Sequence, residues 1–121
     1  MNRNRPQSTL ATLKEGGVVR LGGLTVIEIT SVGTPLLKAT LAAQPLEPNG
    51  EVSVYDNDND NWRPVEDPSN FAVGLGDRIM IGHIQILISA YSKKYGEIRM
   101  SLRTEDAKTA RLINEYKGRI R

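Results

Sequence analysis

The sequence contains no cysteine, and this absence excludes disulfide bonds, thiolate metal ligands and a thiol nucleophile. It also lacks an apolar run of the roughly 18 residues that a membrane helix requires. The first residues, MNRNRPQSTL, do not contain the apolar stretch of a secretory signal. We therefore expect a cytoplasmic protein with no membrane partner, and the 121 residues fit one small domain.

Side chains for catalysis are scarce as well. His83 is the single histidine and there is no GxSxG motif, so a catalytic triad would depend on this one imidazole. A lone histidine beside a glycine in a turn is typical of a structural residue. We expect no enzymatic activity, no cofactor and no small-molecule substrate.

The net charge is only +2, but the charges are distributed unevenly along the chain. Residues 1–20 carry four basic side chains against one acidic, and residues 93–121 carry nine against four. Residues 47–67 reverse the balance, with seven acidic side chains against one basic. Two basic ends around an acidic middle are typical of a protein that binds an anionic partner or a complementary subunit, although a solvated surface would show the same pattern.

Alternating apolar and polar residues, many of them β-branched, predict a mainly β chain. Residues 17–30 are predicted to form two strands, or one strand bent at Gly22 and Gly23, and a turn is predicted at 32–35. The further predicted strands are 36–42, 51–55, 78–81, 84–88 and 97–102. Thr104, followed by two acidic residues, predicts the start of an amphipathic helix over 104–118.

The strand pattern of residues 16–30 returns at 76–90. The aligned pairs are Gly16 with Gly76, Gly22 with Gly82, Val26 with Ile86, and LKATL at 37–41 with IRMSL at 98–102. This alignment indicates two pseudo-repeats, at about 8–46 and 68–103, within one compact domain spanning 1–121. The alternative is a coincidence between two hairpins that each contain a glycine.

The predicted fold is two tandem antiparallel hairpin units that form a small barrel or sandwich, with one C-terminal helix covering an end. A unit of sixty residues buries too little apolar surface to fold stably alone, so we expect the two units to share one core. The expected members of that core are Val19, Leu21, Leu24, Val26, Ile79, Ile81, Ile84, Ile86 and Leu102.

The acidic segment 55–67 is the most unusual stretch of the chain. Asp56, Asp58 and Asp60 have the spacing of a calcium-binding loop, but Asn61 stands where such a loop requires glycine and Pro64 stands at a ligand position. We therefore predict no metal site and expect a long solvated loop closed by Trp62. Because its carboxylates repel phosphate, this loop should face away from a nucleic-acid partner.

Basic and aromatic residues cluster around the second hairpin and the helix. Cationic side chains hold phosphates and tyrosine rings stack on bases, and Arg99 and Arg103 lie on one face of a strand because their separation is even. The candidate nucleic-acid-binding residues are Lys93, Lys94, Arg99, Arg103, Arg111, Tyr91 and Tyr95. The alternative is that a small basic domain simply exposes such a surface.

The segment GDRIMIGHIQILISAYSKKYGEIRMSL at 76–102 resembles the core of the carbon storage regulators, a family of small bacterial RNA-binding proteins. The resemblance is carried by Gly76-Asp77, by Ile81-Gly82 and by the GEIR sequence at 96–99, with a fainter echo at 16–41. It implies an interlaced β homodimer that binds GGA-containing loops of messenger leaders and blocks translation. Two copies in one chain would imply a covalently joined pseudo-dimer.

The chain departs from the family pattern at both ends of this segment. The opening Leu-x-Leu-x-Arg strand is missing before Gly76, where the chain reads SNFAVGL. The Ala-Pro turn and the strand that carries the family's RNA-binding arginine are missing after Leu102. Arg111 lies near the position of that arginine but on the predicted helix, so its role does not carry over directly.

Two functions remain open after the sequence is considered. The first is an RNA-binding translational regulator that holds single-stranded or loop RNA on a basic hairpin face. The second is a structural or assembly protein, such as a virion or appendage component, that self-associates through exposed strand edges.

Overall fold

The computed structural model describes residues 7–33 and 38–119, so the turn predicted at 32–35 lies partly outside the described residues. The strands in these ranges are β1 (Gln7–Leu13), β2 (Val18–Leu21), β3 (Leu24–Gly33), β4 (Lys38–Ala43), β5 (Val52–Asp56), β6 (Asn61–Pro64), β7 (Phe71–Gly74), β8 (Arg78–Ile81), β9 (Ile84–Ser92) and β10 (Glu97–Thr104). One helix, α1 (Ala107–Arg119), follows them. Within the described ranges, no helix has both the length and the apolar character needed to cross a membrane.

The strands form two antiparallel sheets that pack as a sandwich, so the predicted mainly β fold is confirmed and the arrangement is not a closed barrel. The six-stranded sheet has the order β1-β10-β9-β8-β5-β6. The four-stranded sheet has the order β2-β3-β4-β7. Strand alternation directs one row of side chains from each sheet inward and the other row outward.

Strands from the two halves of the chain are interlaced. β1 pairs with β10 and β5 pairs with β8, so two strands of the N-terminal half complete a sheet of the C-terminal half. In return, β7 pairs with β4 in the four-stranded sheet. Each sheet therefore depends on residues from both halves.

The glycine turns of the two halves have matching geometry. Gly16 and Gly76 have φ values of 85° and 89°, a left-handed conformation that glycine adopts without steric cost. The Gly16 N–H donates to the Ile29 carbonyl at 2.7 Å, and the Gly76 N–H donates to the Ile88 carbonyl at 2.8 Å. These matching bonds relate β2 and β3 to β8 and β9.

A β-bulge also recurs in both halves. The register between β3 and β4 shifts at Thr30, and the register between β9 and β10 shifts at Ser89. At each bulge a hydroxyl donates to a carbonyl of the neighbouring strand: Thr30 Oγ1 to Thr40 at 2.9 Å, and Ser89 Oγ to Arg99 at 3.2 Å. Thr40 and Arg99 are therefore structurally equivalent.

The register corrects two of the predicted alignments. β3 has an additional bulge at Val26 that β9 lacks, so Ile27 pairs with Val19 as Ile86 pairs with Ile79. Val26 is thus not the counterpart of Ile86. The predicted match of 37–41 with 98–102 is also wrong, because the equivalence of Thr40 and Arg99 places 39–43 against 98–102. A bulge adds a residue without leaving a sign in the apolar pattern.

One core fills the space between the sheets. Of the predicted core residues, all but Leu24 are buried, and Ile27, Ile29, Leu41, Ile88, Ile98, Met100 and Ile113 join them. Leu24 remains 43% exposed. It lines a cleft of about 430 Å³ beside Gly22, Leu46 and Leu112, so it lies at the mouth of this cleft instead of within the core.

The helix begins later than predicted. Thr104 is still paired with Gln7 as the last residue of β10, so it does not cap the helix. Asp106 takes this role, because its carboxylate accepts hydrogen bonds from the N–H of Thr109 at 3.0 Å and from the Thr109 hydroxyl at 2.8 Å. α1 packs against β1, β10 and β2, and its Ile113 is fully buried in the core.

Candidate nucleic-acid interface

The outer surface of the six-stranded sheet, hereafter the six-stranded face, contains two of the predicted arginines. Along β10 the buried residues Ile98, Met100 and Leu102 alternate with exposed Arg99 and Arg103. The structure therefore confirms that Arg99 and Arg103 share a face. Ser101 lies between them on the same side of the strand.

A continuous row of side chains crosses this face from one edge of the sheet to the other. Register pairs and side-chain contacts link Leu10 to Ser101, Ser101 to Leu87, Leu87 to Arg78, Arg78 to Tyr55, and Tyr55 to Trp62. The row spans six strands, or about 24 Å at the usual strand spacing. Leu10 and Leu87 are 53% and 39% exposed, so the row is open to a partner along much of its length.

Arg78, Tyr55 and Trp62 form a stack at one end of this row. The Arg78 guanidinium carbon lies 3.9 Å from the centre of the Tyr55 ring, within the range of a cation–π contact. The Tyr55 and Trp62 rings meet edge to face, with centroids 5.2 Å apart and planes at 77°. The stack holds both rings in a fixed orientation beside a positive charge.

The predicted hairpin residues lie at the end of β9 and β10. Lys93, Lys94 and Tyr95 are exposed in the turn between these strands, and Tyr95 is 58% exposed. The Lys94 ammonium lies 5.3 Å from the centre of the Tyr95 ring. This turn adds positive charge near the end of the sheet where Arg99 lies.

Two other predicted residues lie elsewhere. Tyr91 pairs with the buried Ile98 and packs against the core, and its hydroxyl is buried with no hydrogen-bond partner. Arg111 is exposed on α1, which packs from the core side of the sheet. Neither side chain joins Arg99 and Arg103 on the six-stranded face.

Arg103 lies beside a shallow cavity at the end of β10. Its guanidinium is 3.7 Å from the Glu105 carboxylate, and both side chains are largely solvated, so this ion pair contributes little to stability. The cavity has a volume of about 330 Å³ and is lined by Met80, Gln85 and Arg103, among others. Arg103 therefore remains accessible to an anionic ligand.

His83 occupies the turn between β8 and β9. Its backbone carbonyl accepts a hydrogen bond from the Thr104 hydroxyl at 2.8 Å. Its ring Nε2 lies 3.9 Å from the Glu47 carboxylate, beyond hydrogen-bond distance. This geometry fits the structural turn residue that the sequence predicts.

The acidic segment differs from the predicted solvated loop, because most of it is a β-hairpin. β5 and β6 pair from Ser53 with Pro64 to Asp56 with Asn61, and the residues of the segment outside this pairing are the turn at 57–60 and the stretch 65–67. Alternation places Tyr55 and Trp62 on the six-stranded face and Asp56 on the other side. The segment therefore does not face away from the candidate interface, as its charge suggested, but contributes two aromatic rings to it.

The carboxylate of Asp56 is occupied by the hairpin itself. The side-chain amide of Asn59 donates to it at 2.8 Å, and Arg63 donates at 3.2 Å. The Asn59 hydrogen bond, together with the backbone N–H groups of Asn59 and Asp58, holds the pKa of Asp56 below its usual range. Among the described residues, no group of three or more metal-ligating side chains is placed to hold a metal ion.

Arg78, Tyr55 and Trp62 were not among the predicted site residues. Their proximity depends on the pairing of β5 with β8, two strands that are distant in the sequence. The alternation within RIMI and VSVYD predicts which way each side chain points, but not that the two strands are neighbours. Comparisons of the chain with family models, with curated proteins and with solved structures gave no match.

Proposed function

We propose that this protein is an RNA-binding translational regulator that holds single-stranded or loop RNA on its six-stranded face. The observation that carries the proposal is the combination on one face of three arginines with the stacked Tyr55 and Trp62 rings. Arginine and lysine side chains hold phosphates, and aromatic rings stack on unpaired bases. A surface with both features accommodates a strand whose bases are not already paired.

In this proposal Arg99, Arg103, Lys93 and Lys94 contact phosphates, and Arg78 holds a phosphate beside the ring pair. Tyr55 and Trp62 stack on bases, and Tyr95 adds a further exposed ring at the hairpin. Arg111 and Tyr91 are assigned no contact. The Arg103 guanidinium exchanges its weak, solvated contact with Glu105 for a phosphate.

The interlaced strands support the resemblance to the carbon storage regulators, because that family is expected to exchange strands between two subunits. The departures from the family pattern limit which properties of the family can be proposed for this chain. In the C-terminal half, helix α1 follows β10 where the family has a strand with an RNA-binding arginine. In the N-terminal half, the element that follows β4 is a strand, β5, but its sequence VSVYD contains no arginine. We therefore propose recognition of unpaired RNA by the six-stranded face and do not transfer the GGA specificity.

The edges of the sheets give little support to the alternative of assembly through strand pairing. Two of the four edge strands, β6 and β7, are four residues long, and β6 ends in a proline that cannot donate a hydrogen bond. The other two, β1 and β2, pack against α1. Short or proline-containing edges resist pairing with another chain, and among the described edge strands β1, with seven residues, is the one that is neither.

The first test is fluorescence anisotropy with a labelled pool of random single-stranded RNA, titrated at several salt concentrations with matching DNA as a control. We expect the double variant Arg99→Ala/Arg103→Ala to bind more weakly and to lower the salt slope by about 0.7 for each lost phosphate contact. The charge-matched control is Arg111→Ala/Lys117→Ala on α1, which should bind like the native protein. An equal loss in both double variants would contradict the assignment to this face.

The second test separates stacking from charge. We expect Trp62→Leu to weaken binding by about 1–3 kcal/mol, because one base loses its ring partner, while the salt slope stays unchanged. Unaltered affinity in the same anisotropy titration would remove Trp62 from the site.

A further inference from the structure

The matched turns and bulges allow the outer faces of the two sheets to be compared residue by residue. The equivalences follow from the hydrogen bonds of Gly16 and Gly76 and from the Thr30 and Ser89 bulges. Positions of the six-stranded face and their counterparts on the four-stranded sheet are Arg78 and Val18, Met80 and Arg20, Leu87 and Glu28, Glu97 and Lys38, Arg99 and Thr40, and Ser101 and Ala42. The same framework therefore presents two different surfaces.

The arginines that flank the centre of the six-stranded face have uncharged counterparts on the other face. The counterparts of Arg78 and Arg99 are Val18 and Thr40, and a carboxylate, Glu28, stands where Leu87 lies. The four-stranded face does carry Arg20, whose guanidinium donates to the carbonyl of Gly23 at 3.2 Å. At the six aligned positions each face carries two cationic side chains and one carboxylate, so net charge alone does not distinguish the two faces.

The aromatic residues separate the faces more sharply. On the six-stranded sheet, β5 extends β8 and brings β6 with it, and these two strands supply Tyr55 and Trp62. β2, the counterpart of β8, is an edge strand that packs against α1. In the described part of the chain, the four-stranded face therefore has no equivalent of the Tyr55 and Trp62 pair.

We infer that the chain binds one nucleic-acid strand, on the six-stranded face alone, and that the four-stranded face does not bind one. The inference rests on the proposed function and adds the number of RNA strands that one chain binds. Among residues 7–33 and 38–119, both faces offer exposed cations, but only the six-stranded face offers rings on which unpaired bases stack. Stacking favours a strand with unpaired bases over a simple anion. A pseudo-dimeric framework is thus used asymmetrically.

The decisive experiment counts the RNA molecules bound per chain and compares variants that remove two cations from one face or from the other. The native chain is titrated with a single-stranded RNA of about eight nucleotides, a length typical of sites on one small β domain, and complexes are counted by native mass spectrometry and calorimetry. Arg78→Ala/Arg99→Ala removes two cations from the six-stranded face. Arg20→Ala/Lys38→Ala removes two from the four-stranded face, and circular dichroism checks that both variants remain folded.

We expect one RNA per chain, a loss of about tenfold or more in affinity for Arg78→Ala/Arg99→Ala, and a change within about twofold for Arg20→Ala/Lys38→Ala. Two RNA molecules per chain, or equal losses in both variants, would overturn the inference and leave the proposed function intact. Failure of the native chain to bind RNA at low salt would overturn both.

Discussion

At the scale of single residues, one glycine in each half lies in a tight turn: Gly22 between β2 and β3, and Gly82 between β8 and β9. Gly22 and Gly82 have φ values of 59° and 58°, where a side chain on an L-residue is strained. The space is also occupied: a Cβ at Gly82 would collide with the Glu47 carboxylate, and one at Gly22 would lie 3.2 Å from the Leu112 side chain. The two turns are thus tight for both backbone and packing reasons.

We expect Gly82→Ala to lower the free energy of unfolding by about 1–2 kcal/mol, because alanine pays the left-handed backbone cost and displaces Glu47. Urea denaturation followed by circular dichroism measures this loss. Gly118→Ala is the matched control, since a Cβ there meets no atom within 4 Å and alanine favours the helix. A Gly82→Ala variant as stable as the native chain would show that the turn relaxes freely.

At the scale of elements, α1 depends on the carboxylate that caps it. The hydrogen bonds from the Thr109 N–H and hydroxyl lower the pKa of Asp106 from its ordinary value of 3.8. Because the folded state favours the ionised carboxylate, the cap contributes stability above the unfolded pKa. That contribution is lost as the pH falls through the lower, folded value.

We therefore expect Asp106→Ala to be less stable than the native chain at pH 7 and to lose less stability on acidification. Urea midpoints of both proteins at pH 7 and near pH 3 measure the difference. The gap between the two proteins should narrow at the lower pH. A gap that is constant or wider at low pH would mean that the ionised cap does not stabilise the helix.

For the whole molecule, interlacing makes the two halves interdependent. β1 and β5 complete the sheet built on β8, β9 and β10, and β7 completes the other. Each half contains strands whose hydrogen-bonded neighbour lies in the other half, namely β1, β4 and β5 in the first and β7, β8 and β10 in the second. The single core between the sheets draws its buried side chains from both halves, so that unfolding of one half would expose the inner surface of the other.

We expect the fragments 1–67 and 68–121 to be unfolded when separate, because each lacks partner strands and buries too little apolar surface. Circular dichroism and thermal melts of each fragment test this, with the intact chain as the reference. The intact chain should unfold in one cooperative transition. A cooperative melt of either isolated fragment would refute the interdependence.

Sequence reasoning recovered the strands whose apolar alternation is strong, such as RIMI and EIRMSL, and it recovered the shared face of Arg99 and Arg103. It missed β6 and β7, because NWRP and FAVG are too short to show a period. It also missed β1, because Thr9 and Ala11 are buried there while Leu10 is exposed, so the apolar residues of this strand do not mark its buried face. The Arg78 and Tyr55 contact could not be predicted, since register between distant strands is decided by tertiary packing.

The pairing of β1 with β10 has a consequence for biosynthesis. β1 leaves the ribosome well before β10, its partner in the sheet, since Gln7 pairs with Thr104 and Leu13 with Ile98. At ordinary translation rates this interval is on the order of 10 s, during which the backbone groups of β1 lack their final partner. The six-stranded sheet is therefore completed only after β10 has been synthesised, and this delay is set by the topology of the sheet.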